Sequence, residues 1–269
     1  MADIHDPHFA AVFGLLGNIL SFFVYLAPLP TFCKIFKRKS TEGFQSIPYS
    51  VALFSAMLLL YYAFLKTNAL MLITINSIGC VIESTYLILF MIYATRSARI
   101  YTTKLLLLFN LGTIGLIIIL TFIFSKGSQR ITIVGWICAV FSVCVYAAPL
   151  SIMRLVIIRS KSVKYMPFSL SFFLTLCAIT WFLYGFSLRD YYISTPNILG
   201  FMFGVTQMIL YTIYSLRKKE TSPETKPQEQ TTNSIQMSSN VEQPPLEMAV
   251  VSMGIGNTQV VPDSAELNV

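Results

Sequence analysis

Seven apolar runs of about 20 residues divide the first four-fifths of this chain, and all but one lack any charged side chain. A run of that length and character crosses a hydrocarbon core about 30 Å thick. A soluble fold would have to hide all seven in one small core. Only 12% of the residues are charged and 55% are hydrophobic, so there is too little polar surface to enclose such a core in water. The chain is therefore expected to be an all-α integral membrane protein. Its spans are placed at about 10–33, 46–65, 71–94, 105–124, 131–153, 167–187 and 192–214.

The joints between the spans set its orientation. The odd-numbered joints carry "CKIFKRKS", "ATRSARIYTTK" and "MRLVIIRSKSVK", and "SLRKKE" follows the last span. Of 19 Lys and Arg, 15 fall on that side and 4 on the other. Excess basic residues stay in the cytosol, so the amino terminus is expected outside and the carboxyl terminus inside. This placement accounts for the net charge of +7 without invoking nucleic acid as a partner. The opening "MADIHDPH" has no basic residue, so the first span is expected to be retained and not cleaved as a secretory signal. Residues 218–269 are polar, rich in Pro, Ser and Thr, and aperiodic, and read as a disordered cytosolic tail open to phosphorylation. The five cysteines all lie in apolar spans, without metal spacing or a disulfide framework. No cofactor or metal is expected. With His5 and His8 outside the spans, no nucleophile, base and acid converge, which argues against an enzyme.

The chain also repeats itself. "VYLAPL" (24–29) returns as "VYAAPL" (145–150), a shift of 121 residues that also pairs Gly14 with Gly135, Ser21 with Ser142 and Asn76 with Asn197. "SIPYS" (46–50) answers "YMPFS" (165–169) after a small change in joint length, and "ITINSIG" (73–79) answers "STPNILG" (194–200). Spans 1–3 (10–94) and 5–7 (131–214) are thus two copies of a three-helix unit, and span 4 (105–124) joins them. Three crossings invert the orientation and the joiner restores it, so the repeat is parallel, about an axis along the membrane normal.

These residues carry a resemblance. The phrases "APLPTF…KRKSTEGFQSIPY" and "APL…RSKSV…MPFSLSFFLTL…PNILGFMFG" in a 3+1+3 chain are similar to the plant SWEET (MtN3/saliva) sugar transporters, over about residues 10–216. The resemblance implies bidirectional, facilitative uniport of sugar by alternating access, in oligomers, at the plasma membrane.

Three groups of residues can be weighed against that implication. Asn76 and Asn197 occupy equivalent places. A neutral amide offers donors and an acceptor that suit sugar hydroxyls, although it can equally tie helices together. Trp181 offers a flat face and an N–H, and the resemblance implies a second pocket Trp where this chain has Leu59. Val24, Ser55, Val145 and Cys177 match positions whose size bears, in the family, on whether a mono- or disaccharide fits. All four are small here, compatible with sucrose, though small residues also serve tight helix packing. Pro28, Pro48, Pro149 and Pro167 recur at matched places; each is expected to kink its helix, and the resemblance makes them a hinge. Tyr62 and Asp190 match the family's outer gate.

Glu83 is the one intramembrane carboxyl. It reads either as a group bonded to neighbouring helices or as a proton relay, the latter keeping a proton-coupled sugar transporter as an alternative. A seven-helix receptor shares the topology but has no use for a duplicated triplet.

Overall fold

The computed structural model describes residues 7–41, 43–160 and 168–220, without the side chains of 147–160, 168–170 and 214–220. Every element among them is helical. In chain order they are α1 (Pro7–Leu26), α2 (Leu29–Arg38), α3 (Ile47–Phe64), α4 (Leu70–Tyr93), α5 (Arg96–Leu105), α6 (Ile114–Phe124), α7 (Gly127–Ser160), α8 (Phe168–Ser187) and α9 (Tyr191–Glu220). A π-helical stretch, Leu106–Thr113, joins α5 to α6 without a break. Six stretches are long and apolar enough to cross a bilayer, and α8, whose described apolar part is Ser171–Ser187, supplies the seventh span. The protein is an integral, multi-pass membrane protein. The tail expected over 218–269 lies, beyond Glu220, outside the described residues.

The packing order is not the chain order. Within the first triplet α4 lies between α1 and α3; within the second, α9 lies between α7 and α8. The triplets then meet twice, α1 against α8 and α3 against α7, which closes six spans into a ring. The two meetings are equivalent, first span of one triplet against second span of the other, as a parallel repeat requires. Asn76 on α4 and Asn197 on α9 therefore sit on the central helix of each triplet, on opposite sides of the ring.

The joining span lies outside this ring against α3, with a smaller contact to α7. It grips α3 along its whole length. Ser46 Oγ and Thr102 Oγ1 share a hydrogen bond of 2.7 Å. Ser50 Oγ donates to Asn110 Oδ1 at 2.5 Å, while Asn110 Nδ2 returns a bond to the Ser50 carbonyl at 2.9 Å. Phe109 stacks on Phe54 with centroids 4.5 Å apart, and Tyr61 Oη meets Thr121 Oγ1 at 2.8 Å. Such bonds matter in lipid, where no water competes for the buried groups. The π turn widens the helix around Asn110, and Thr113 Oγ1 reaches back five residues to the Leu108 carbonyl.

Two expectations change here. The fourth span starts at Arg96, nine residues earlier than 105, because the basic joint is itself helical. Thr95 caps it, accepting from the Ala98 N–H at 3.4 Å, and Arg99 turns back to cap the Met91 and Ala94 carbonyls that end α4. The four prolines, each expected to kink a helix, also differ from one another. Pro28 does break its span: α1 stops at Leu26 and α2 restarts at Leu29, with the freed Val24 carbonyl taken by the Ala27 N–H at 3.1 Å. Pro48 does not kink α3. It sits in the first turn, where the missing N–H has no helical partner to lose. Pro149 lies within the continuous α7, and Pro167 lies outside the described residues.

Candidate functional site

Asn76 and Asn197 are buried, with 3% and 8% of their surfaces exposed. Each sends its Nδ2 to the carbonyl one turn back on its own helix, Leu72 at 2.8 Å and Ile193 at 2.7 Å. That bond satisfies part of the amide locally and leaves the carboxamide oxygen for another partner. Asn197 Oδ1 accepts from Tyr146 Oη on α7 at 3.2 Å. The use of an amide as an interhelical tie therefore describes Asn197. It does not describe Asn76, which bonds no other helix among the described residues.

Trp181 on α8 lies at the meeting of the two triplets. Its ring packs on Gly17 of α1 so closely that a Cβ there would fall 3.0 Å from Cε2. Its Nε1–H donates to Ser21 Oγ at 2.9 Å, and Cys177 Sγ, one turn earlier on α8, is 3.9 Å from the same hydroxyl. The indole N–H is thus already committed, and the ring face is what remains to offer. Trp181, Cys177 and Tyr62 belong to one hydrophobic cluster, against which Val24 and Leu59 pack. Ser55 and Val145 are half-buried. Trp136, by contrast, is exposed at the far end of α7 and touches the ring of Tyr192 edge-on.

At the end of the ring where α3 stops and α9 starts, Asp190 is buried and held from four directions. Tyr62 Oη donates to both carboxylate oxygens at 3.0 and 2.9 Å, and Lys66 Nζ forms an ion pair with Oδ2. The N–H groups of Tyr192 and Ile193 donate to Oδ1 at 3.1 and 3.3 Å, so Asp190 also caps the start of α9. A buried carboxylate is costly unless paired and hydrogen-bonded, and here it is both. These bonds pin the first triplet to the second.

The opposite end is organised by aromatic rings. Phe32 of α2 stacks on Tyr86 with centroids 4.4 Å apart and meets Tyr49 at 4.8 Å. Tyr86 Oη donates to the Tyr25 carbonyl at 3.1 Å, satisfying a backbone group beside the break at Pro28. Glu83 is buried on α4, two turns past Asn76 and within electrostatic reach of Tyr25 and Cys80.

The profile of the family described as "Sugar efflux transporter for intercellular exchange" matches residues 11–98 and 132–219, once for each triplet. The chain belongs to this family, the SWEET sugar transporters. The bidirectional sugar transporter NEC1 of Petunia hybrida is 52% identical over 256 residues, covering 94% of this chain and 96% of the relative. The bidirectional sugar transporter SWEET13 of Oryza sativa subsp. japonica is 58% identical over 215 residues, or 80% of this chain and 72% of that one. A solved structure of a eukaryotic SWEET transporter superposes with a TM-score of 0.72 at 36% identity, covering 77% of this chain and 97% of that one. Family membership makes this SWEET chain a transporter and not an enzyme.

Two features of this SWEET were not singled out from sequence. Lys66 reads as an isolated joint charge until α3 and α9 are brought together. Tyr25 and Tyr146 are visible as repeated letters, but only the packed structure puts Tyr146 on Asn197 and Tyr25 over Gly79, one turn from Asn76.

Proposed function

We propose that this chain is a facilitative sugar uniporter working by alternating access, with sucrose as its principal substrate and hexoses as smaller alternatives. The observation that carries this reading is the pair of buried, uncharged asparagines at equivalent places on the central helices of the two triplets in a ring of six spans. Neutral amides recognise hydroxyls without demanding a counter-ion. Trp181 contributes its ring face, and Val24, Ser55, Val145 and Cys177 keep the surrounding side chains small.

In this reading Tyr62, Asp190 and Lys66 form the outer gate. Their bonds must break for the triplets to part, so the described state is closed at that end. The units 10–94 and 131–214 rock against one another, with the hinge role implied for the matched prolines resting on Pro28, where α1 breaks from α2, and with 105–124 travelling with the first unit. The basic joints favour an extracellular amino terminus and a cytosolic carboxyl terminus in the plasma membrane. One chain holds a whole pathway, so the homo-oligomer implied by the family is a set of parallel pathways. Glu83, buried on α4, acts as a structural carboxyl and not as a proton carrier.

Purified protein in liposomes tests this directly. Labelled sucrose should equilibrate to equal concentrations on both sides, with counterflow against unlabelled sucrose and no dependence on an imposed pH gradient. Accumulation above equilibrium driven by acid outside would instead establish proton coupling through Glu83. Absence of any sugar flux would remove the transport reading.

A further inference from the structure

The two asparagine sites are built alike but are not equally occupied by their own side chains. In each, a tyrosine from the triplet's first helix lies against a glycine on its third, one turn beyond the asparagine: Tyr25 on Gly79 and Tyr146 on Gly200. The fit depends on glycine. A Cβ at 79 would overlap Tyr25 Oη and stand 2.5 Å from Cζ, whereas a Cβ at 200 would meet the ring edge, 3.0 Å from Tyr146 Cε2.

The difference lies in the hydroxyls. Tyr146 Oη donates to Asn197 Oδ1 at 3.2 Å, so these two groups satisfy one another. Among the described residues nothing hydrogen-bonds Asn76 Oδ1 or Tyr25 Oη, and neither atom is among the sealed, unpartnered polar atoms of the structure. Tyr25 packs against the buried cluster that holds Cys177 and Trp181, which come from the other triplet. Its phenol is thus where the two halves meet, over Gly79 and one turn along α4 from Asn76, whose amide oxygen is uncommitted.

We propose that Tyr25 contacts the substrate directly. Its hydroxyl and Asn76 Oδ1 together form the hydrogen-bonding wall for the sugar, and Tyr146 with Asn197 is a self-satisfied pair that shapes the opposite wall. The proposal rests on the sugar-transport reading and assigns that pathway an unequal pair of sides. A phenol both donates and accepts, and an amide oxygen accepts. Side by side they match two neighbouring hydroxyls of a pyranose or furanose ring.

The test uses the full chain in liposomes, with equilibrium exchange of labelled sucrose and, in parallel, of labelled glucose. Tyr25→Phe and Tyr146→Phe both keep the ring on its glycine and remove only the hydroxyl, so both should fold, as thermal unfolding in detergent will show. Losing a neutral hydrogen bond to the sugar should raise KM in Tyr25→Phe by about three- to tenfold, with the maximum rate little changed. Tyr146→Phe should lower KM, because it releases Asn197 Oδ1 for the sugar. A series of monodeoxy sucroses adds a readout that a packing role would not move. The derivative lacking the hydroxyl that meets Tyr25 should bind worse than sucrose to the unaltered protein, yet equally well to Tyr25→Phe. An unchanged KM in Tyr25→Phe, or an equal rise in Tyr146→Phe, would overturn the assignment. Asn76→Ala separates the two levels: if it is inactive while Tyr25→Phe behaves normally, only the role of Tyr25 fails, whereas full activity in Asn76→Ala removes the pocket itself.

Discussion

The two triplets descend from one plan, yet matched positions do different things. "APL" at 27–29 breaks the first span in two, whereas "APL" at 148–150 lies inside a helix that runs unbroken from Gly127 to Ser160. Leu59 on α3 has no ring where Trp181 on α8, the second span of the other triplet, carries one. Glu83 stands where the other half has Gly204, whose missing side chain is replaced by the hydroxyl of Thr175. The third helix of the first triplet begins at Leu70 behind Ala69, which offers no side-chain cap, while Asp190 caps its counterpart and reaches across to Tyr62 and Lys66. The shared features are the ring order, the central asparagine and the tyrosine on glycine. The unshared ones fall at the ends of the ring and along its spans. The comparison teaches that a duplicated unit keeps the packing of the ring while its copies diverge in the side chains that the ends and spans carry.

The comparison can be broken most sharply at its most symmetric point. Asn76→Ala and Asn197→Ala should each abolish sugar flux while leaving a folded, membrane-inserted protein. Normal exchange in either variant would remove that amide from the pathway.

The outer end comes next. Lys66→Met leaves the buried Asp190 carboxylate with its phenol and two backbone amides only. Loss of one charge-assisted bond is worth about 2 kcal/mol, reduced here because Lys66 is partly solvent-exposed. A lower unfolding temperature together with faster opening of that end, read by labelling of a reporter cysteine, is the expected result. An unchanged unfolding temperature would mean that the ion pair adds nothing to the closed state.

A smaller effect is expected at the prolines. Pro28→Ala should allow α1 and α2 to fuse and slow exchange, whereas Pro149→Ala should change little, since α7 is already continuous. Equal slowing in both would show that the two phrases work alike despite their different backbones.

The smallest change is Leu59→Trp, which restores the missing partner of Trp181. By the repeat, its indole would address Ser142 as Trp181 addresses Ser21. A modest tightening of sugar affinity is expected, and weaker or equal affinity in competition binding would count against the restored wall.

Much of this architecture is legible in the sequence because lipid is an exacting solvent. Uncharged runs mark the spans, and the shift of 121 residues reveals both the 3+1+3 plan and the pairing of Asn76 with Asn197. What stayed hidden depends on which faces meet. The order α1–α4–α3 cannot be read from period or composition, since every side of such helices is apolar. Lys66 and Asp190 are 124 positions apart and become partners only when the ring closes. The helical start at Arg96 was obscured because charge ends an apolar run without ending a helix. Pro48 opens α3 instead of bending it for a related reason. A proline near a span's edge starts a helix when Ser46 precedes it as a cap position, and bends one only when a full turn lies upstream.

The grip of the joining span on α3 has a consequence for how the chain is made. Ser46, Ser50 and Tyr61 find Thr102, Asn110 and Thr121 within the first 125 residues, before any of the second triplet has left the ribosome. The nascent first half can therefore wait in the bilayer with these polar groups already matched, and the later triplet inserts beside a finished four-span platform.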